Sequence, residues 1–163
     1  MKYHDITKDD MNNGCGLRVV LWLAGCSHQC PGCQNPCTWD ENDGLLFDEK
    51  AKNEIFNELN KDYIQGITFS GGDPLFHKNR EELTLLIKEI KKKYPDKDIW
   101  LWTGYKFEEV KDLELMKFID VLVDGRFVEK LKDVSLHWRG SSNQDVVNVK
   151  QSLKIGTKVL MEE

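Results

Sequence analysis

The chain reads as an α/β protein, an open partial (βα) barrel built on a mainly parallel sheet. Three observations predict this. Short apolar runs of strand length alternate with amphipathic stretches of 12 to 15 residues, the pattern of right-handed βαβ units. Only four complete units occur, too few to close an eight-fold barrel. Loops of unusual composition follow the apolar runs, at the strand ends where α/β folds place their ligands.

Residues 1–16 are polar and end in Asn12-Asn13-Gly14-Cys15-Gly16, a turn-rich lead-in. Residues 17–24 are apolar and predict the first strand. The connection over 25–47 has no periodicity, and a structureless loop of that length in a compact domain calls for a function. Asp48 is placed to cap a helix running to about residue 60, with Ala51, Ile55, Phe56 and Leu59 on one face. Residues 66–69 predict the second strand. Residues 80–94 predict a helix, with Leu83, Leu86, Ile87 and Ile90 at i, i+3, i+4, i+7 spacing and a stop at Pro95. Residues 99–102 predict the third strand, and 106–117 a helix carrying Val110, Leu113 and Met116. Residues 119–123 predict the fourth strand, opening into Asp124-Gly125-Arg126. The part from 128 to 163 is less regular and reads as a short helix, strands near 134–138 and 145–150, and an exposed tail.

A length of 163 residues lies near the modal domain size, so one domain over 1–163 is expected. With 40% apolar and 31% charged residues the composition is that of a soluble globular chain with a real core. A net charge of −5 gives no electrostatic case for binding nucleic acid. Lys91-Lys92-Lys93, the one basic run, ends a predicted helix, where cations suit the helix dipole. No apolar stretch approaches the length of a membrane span, and Met1-Lys2-Tyr3-His4-Asp5 leads no signal-peptide core. Five cysteines, an odd number with three crowded together, fit a reducing cytoplasm better than a disulfide scaffold.

Those three are Cys26, Cys30 and Cys33, spaced C-x3-C-x2-C on the loop leaving the first strand. Thiolates this close repel and oxidise readily, so a soft cation is their natural partner. A structural zinc site closes with four ligands, commonly from two separated pairs, and no second pair follows here. An iron–sulfur cube on three cysteines keeps one iron open for a substrate and suits the count better. Cys15 and Cys37 fall outside the motif, and His28, between two candidate ligands, reads as a bystander to the metal. His4, His77 and His137 have no base or nucleophile near them in sequence, so nothing suggests a hydrolase.

C-x3-C-x2-C after a first strand, with Ser70-Gly71-Gly72-Asp73-Pro74 after a second, resembles the radical S-adenosylmethionine (SAM) enzymes. More narrowly, the chain is similar to the activating proteins of the anaerobic (class III) ribonucleoside-triphosphate reductases. Stretches 25–35, 65–75, 98–105, 121–127 and 138–144 carry that likeness, in order and through almost the whole chain. The resemblance implies a partial barrel of the radical SAM type. It also implies a [4Fe-4S] cluster on Cys26, Cys30 and Cys33 whose open iron chelates the methionine portion of SAM. One electron then splits the sulfonium, and the deoxyadenosyl radical takes a Cα hydrogen from one glycine of the reductase. Cluster and SAM carry the chemistry, so no protein side chain is expected to be catalytic.

For the cofactor, the stretch from Ser70 to Asp73 fits the ammonium end: Gly71 and Gly72 permit close backbone approach, and their carbonyls and the Asp73 carboxylate are candidate acceptors. Thr103 and Asp124, on the loops after the third and fourth strands, are candidate contacts for its polar groups. The chain departs from many relatives in having Gly32, not an aromatic residue, before the third cysteine. Backbone groups of Gly32 and Gln34 therefore stand in as contacts to the adenine edge. The implied partners are the large subunit of the reductase and a flavodoxin or ferredoxin as electron donor. Rival readings are an activase of another glycyl-radical enzyme, a radical SAM enzyme acting on a small molecule, an iron–sulfur electron carrier, and a zinc-bound interaction module. Arg139-Gly140-Ser141-Ser142-Asn143-Gln144 matches the family without an assigned role, as a late turn or part of a partner surface.

Overall fold

Strands buried on both faces need helices on one side and something else on the other, and this chain supplies a cavity. A computed structural model describes residues 1–33 and 36–161. Its strands are β1 (Lys2–Asp10), β2 (Leu17–Leu23), β3 (Leu45–Leu46), β4 (Ile64–Gly71), β5 (Asp98–Trp102), β6 (Val121–Asp124) and β7 (Asp145–Asn148). Its helices are α1 (Glu49–Leu59), α2 (Arg80–Lys93), α3 (Phe107–Val110) and α4 (Val149–Ile155). Among the described residues they form one seven-stranded sheet in the order β3-β1-β2-β4-β5-β6-β7. The four inner strands run parallel, with Val20 opposite Thr68, Thr68 opposite Trp100 and Trp100 opposite Val121. β1 and β7 flank them antiparallel, and the two outer edges are not joined, so the barrel is open.

Alternation along the inner strands divides two surfaces. Val19, Leu21, Leu23, Ile67, Phe69, Ile99, Leu101 and Leu122 face the helices and pack with Ile55, Leu59, Leu83, Ile87 and Ile90 in the main core. The other set faces the concave side. There Arg18 is fully buried and fills the end where the strands begin. Its guanidinium pairs with Asp98 at 2.6 Å, donates to Thr68 Oγ1 at 2.8 Å and to the Cys15 and Ile67 carbonyls at 2.9 Å, and lies over the Trp100 ring. Burial pushes the Arg18 pKa down while Asp98 pushes it back up.

Asp48 caps α1 by accepting from Ala51 N at 2.9 Å, as its position in the sequence predicts. α2 buries the predicted stripe and stops before Pro95. Lys91, Lys92 and Lys93 occupy its last turn, and Lys91 is tied down there by Asp120 at 3.0 Å.

Five local expectations are corrected. The polar lead-in contains a nine-residue strand, β1, whose one buried residue is Ile6. The helix expected over 106–117 is a single α-helical turn, α3, followed by a 3-10 turn at Glu114–Phe118. Leu113 between them is extended, and this break lets Phe107, Val110, Leu115 and Met116 all bury although no one helical stripe joins them. Residues 134–138 form turns, with Ser135 N and Leu136 N both returning to Asp133. The strand near 145–150 ends at Asn148, which caps α4 by accepting from Gln151 N. The expected tail instead folds back along β7, with Asn148 N donating to Val159 O and Met161 N to Val146 O.

Candidate functional site

The site is built where the four parallel strands end. A positive φ at Gly25 (106°) turns the chain out of β2, and the stem of the cysteine loop is zipped by Gly25 N to Thr38 O at 2.8 Å and Cys26 N to Trp39 O at 3.1 Å. The loop then curls back, with Cys33 N donating to Cys30 O, and Gly32 (φ 74°) packs near the Glu129 side chain. Cys26, Cys30 and Cys33 are half-buried and all three line one cavity. Cys15 and Cys37 are exposed, and neither lines it. Burial pushes the Cys26 thiol up, the His28 and Gln29 backbone N–H groups pull it down, and the Asp73 carboxylate adds to the rise. Gln34, the other adenine-edge candidate of this loop, lies outside the described residues.

Opposite the thiols runs the loop leaving β4. Ser70, Gly71 and Gly72 line the cavity. Their glycines answer a packing demand as well as any ligand. A Cβ on Gly71 (φ 108°) would lie 2.5 Å from Leu23 N and O, and one on Gly72 would lie 2.5 Å from Gly25 O. Gly72 N donates to Leu23 O at 2.8 Å and Asp73 N to Gly25 O at 2.7 Å, so this loop is laced to the stem of the cysteine loop. Asp73 is buried, and its carboxylate accepts from Leu75 N, Thr103 Oγ1, Gly104 N and His28 Nε2 at 2.6 to 2.9 Å. A carboxylate so occupied clamps three loops together, and Asp73 also lines the cavity beside Gly72.

The loops after β5 and β6 close the remaining sides. Thr103 and Gly104 line the cavity, although the Thr103 hydroxyl is spent on Asp73. Asp124 is placed elsewhere. Strand alternation turns it to the helix face, where it accepts from Phe107 N at 2.7 Å and pairs with Lys158 at 2.7 Å. Its neighbour Gly125 takes the cavity wall. Stretch 139–144 is a turn: Gln144 Oε1 accepts from Gly140 N and Ser141 N, while its Nε2 donates to Gly125 O. Gln144 thereby holds Gly140 and Gly125 together as cavity wall.

A 4Fe-4S single-cluster domain model matches residues 12–147. The chain is 49% identical to the anaerobic ribonucleoside-triphosphate reductase-activating protein of Enterobacteria phage T4, over 88% of this chain and 92% of that protein. It is 47% identical to the protein of the same name from Escherichia coli K12, over 90% and 97%, and 44% identical to that of Haemophilus influenzae, over 88% and 96%. The chain belongs to the family of anaerobic ribonucleoside-triphosphate reductase-activating proteins.

For a member of that family the donor set fits an iron–sulfur cluster. Three thiols open on one cavity, and within the same loop His28 Nδ1 is buried with no partner. Among the described residues no three Cys, His, Asp or Glu side chains are gathered tightly enough to hold a single ion. Asn13 and Trp22 are further wall residues that the sequence did not single out, and Trp102 and Phe127 line the cavity as well. Trp22 is legible only once strand parity is known, because both faces of its strand are apolar.

Proposed function

We propose that this chain, acting as a single domain, is a radical SAM activase that installs a glycyl radical on an anaerobic ribonucleoside-triphosphate reductase. The observation that carries the reading is the meeting of Cys26, Cys30 and Cys33 with Ser70, Gly71 and Gly72 around one cavity. Cys26, Cys30 and Cys33 would hold a [4Fe-4S] cluster, leaving one iron without a protein ligand. When bound, the cluster would supply the one-electron reduction of the SAM sulfonium on which removal of the glycine Cα hydrogen depends. Backbone carbonyls of the Ser70-Gly71-Gly72 stretch would accept from the SAM ammonium, and backbone groups of Gly32 and Gln34 from its adenine edge. Thr103 would contribute shape, since its hydroxyl already donates to Asp73. Trp22, Trp102 and Phe127 supply apolar wall that keeps water from the reacting carbon. The electron is assigned to a flavodoxin or ferredoxin of a reducing cytoplasm. No helix among the described residues is long and apolar enough to cross a membrane.

Electron paramagnetic resonance (EPR) tests the reading. The anaerobically reconstituted protein, with reductant, SAM and the reductase, should give a glycyl-type signal on the reductase that vanishes when the acceptor glycine is substituted. SAM cleavage without that signal would hand the assignment to a small-molecule radical SAM enzyme. A cluster that never cleaves SAM would leave an electron carrier.

A further inference from the structure

We infer that His28 and Asp73 form a positioning pair that fixes the cysteine loop against the cofactor loop, an inference resting on the function proposed above. Both side chains are almost wholly enclosed, at 3% and 2% exposure, and His28 Nε2 meets Asp73 Oδ2 at 2.6 Å. Forty-five residues of chain separate them, so the bond joins two different strand-end loops. The same oxygen accepts from Gly104 N at 2.9 Å, which brings in the loop after β5. Thr103 Oγ1 and Leu75 N complete the acceptor capacity of the carboxylate.

The His28 ring is also held by shape. A Cβ on Gly104 would stand 2.5 Å from its Cδ2, so residue 104 must lack a side chain for the ring to lie where it does. Tyr105 meets the ring edge-on with centroids 4.6 Å apart, and the Arg80 guanidinium lies over the Tyr105 ring at 5.2 Å. Arg80 Nε in turn donates to Leu75 O at 2.7 Å, closing the assembly back onto the Asp73 loop. Three loops from β2, β4 and β5 are thereby one body.

His28 sits two residues from Cys26 on one side and from Cys30 on the other. A ring anchored at Nε2 and wedged between Gly104 and Tyr105 therefore sets where those two thiols stand relative to the Gly71-Gly72 backbone. That relative placement decides whether one cofactor molecule reaches both at once. Outer partners of a metal site typically change its binding or activity about 10–100-fold when removed.

The test uses the anaerobically reconstituted full chain and reads three quantities: iron and sulfide per chain, SAM affinity, and the change that SAM induces in the EPR signal of the reduced cluster. His28→Ala should keep its iron yet bind SAM about tenfold or more weakly, with a diminished SAM-induced spectral change. His28→Gln, which keeps an amide donor for Asp73, should recover most of both. Gly104→Ala, which displaces the ring without removing it, should reproduce the defect should His28→Ala not fold. A His28→Ala protein with unchanged SAM affinity and spectral change overturns the pairing, even if its melting temperature falls. Loss of iron in step with SAM binding overturns it too, since His28 would then serve cluster retention. No SAM binding by the unsubstituted protein refutes the activase reading itself, and the pair falls with it.

Discussion

A single methyl group at Gly72 measures how closely the cofactor loop is laced to the cysteine loop. An added Cβ would lie 2.5 Å from the Gly25 carbonyl oxygen and 2.7 Å from that of Thr38, both backbone atoms. Close carbon–oxygen contacts settle near ~3.3–3.6 Å, so the segments must part by roughly 0.8 Å. Asp73 N to Gly25 O, now 2.7 Å, and Gly72 N to Leu23 O, now 2.8 Å, would then stretch beyond good bonding distance. Overpacking costs about 1–3 kcal/mol, and two weakened backbone bonds add about 1 kcal/mol between them, for a loss of about 2–4 kcal/mol. Gly72 does not have a left-handed φ, so backbone strain does not enter. Gly140→Ala is the control, because its Cβ would crowd the Phe127 ring at 3.1 Å, which can swing aside, and would sit at an ordinary 3.7 Å from Gln144 Oε1. Urea unfolding of the reduced, cluster-free protein should show Gly72→Ala losing that amount and Gly140→Ala losing less than about 1 kcal/mol. Gly72→Ala within 0.5 kcal/mol of the parent, a margin of about ordinary surface-substitution size, would refute the lacing.

Two further outcomes are expected. Cys26→Ser, Cys30→Ser and Cys33→Ser should each lose most iron and sulfide after anaerobic reconstitution, whereas Cys15→Ser and Cys37→Ser, exposed and away from the cavity, should keep both. A cluster lost with Cys37 and kept without Cys33 would disprove the ligand set. Burial would raise the Asp120 pKa, but the Ile99 N–H, Lys91 and Lys150 outweigh it and hold the carboxyl below its ordinary 3.8. A depressed folded pKa stabilises above the unfolded value and is lost as pH falls through the folded one. Asp120→Asn should therefore cost about 1–2 kcal/mol at neutral pH, with its urea midpoint converging on the parent's in acid. A gap that stays constant with pH would refute this account.

Legibility in the sequence followed burial. β2, β4, β5 and β6 announce themselves as continuous apolar runs because both their faces are covered. The same property hides parity, which is why Asp124 could be assigned to the cavity although it faces α3. β1 was hidden for the opposite reason, as a strand paired with β2 along one side and only at Lys2 and Tyr3 with β3 on the other, with one buried side chain among nine residues. α4 was signalled by Asn148 three residues before Gln151, a cap spacing easily read as the end of a strand. The cysteine loop was plain from spacing alone. Its partnership with Asp73 was not, because it spans forty-five residues and rests on a histidine that no spacing rule singles out.

The polar residues buried in this half-barrel divide its two ends between different tasks. At the beginning of the strands Arg18, Asp98 and Thr68 satisfy one another and fill the concave interior, so that end is shut. At the far end Asp73 spends its capacity on backbone and side-chain donors from three loops, and Gln144 does the same for a fourth wall. Neither set leaves a spare charge in the cavity. Its floor and sides combine Trp22, Trp102 and Phe127 with glycine backbone and with Asp73, whose carboxylate is already engaged by three loops. The three thiols are the exception, and nothing at the strand-beginning end competes with them for a metal. The three thiols therefore stand at the end of the sheet where the four parallel strands finish, opposite the end that Arg18 fills, while the two outer strands, β3 and β7, stay unjoined.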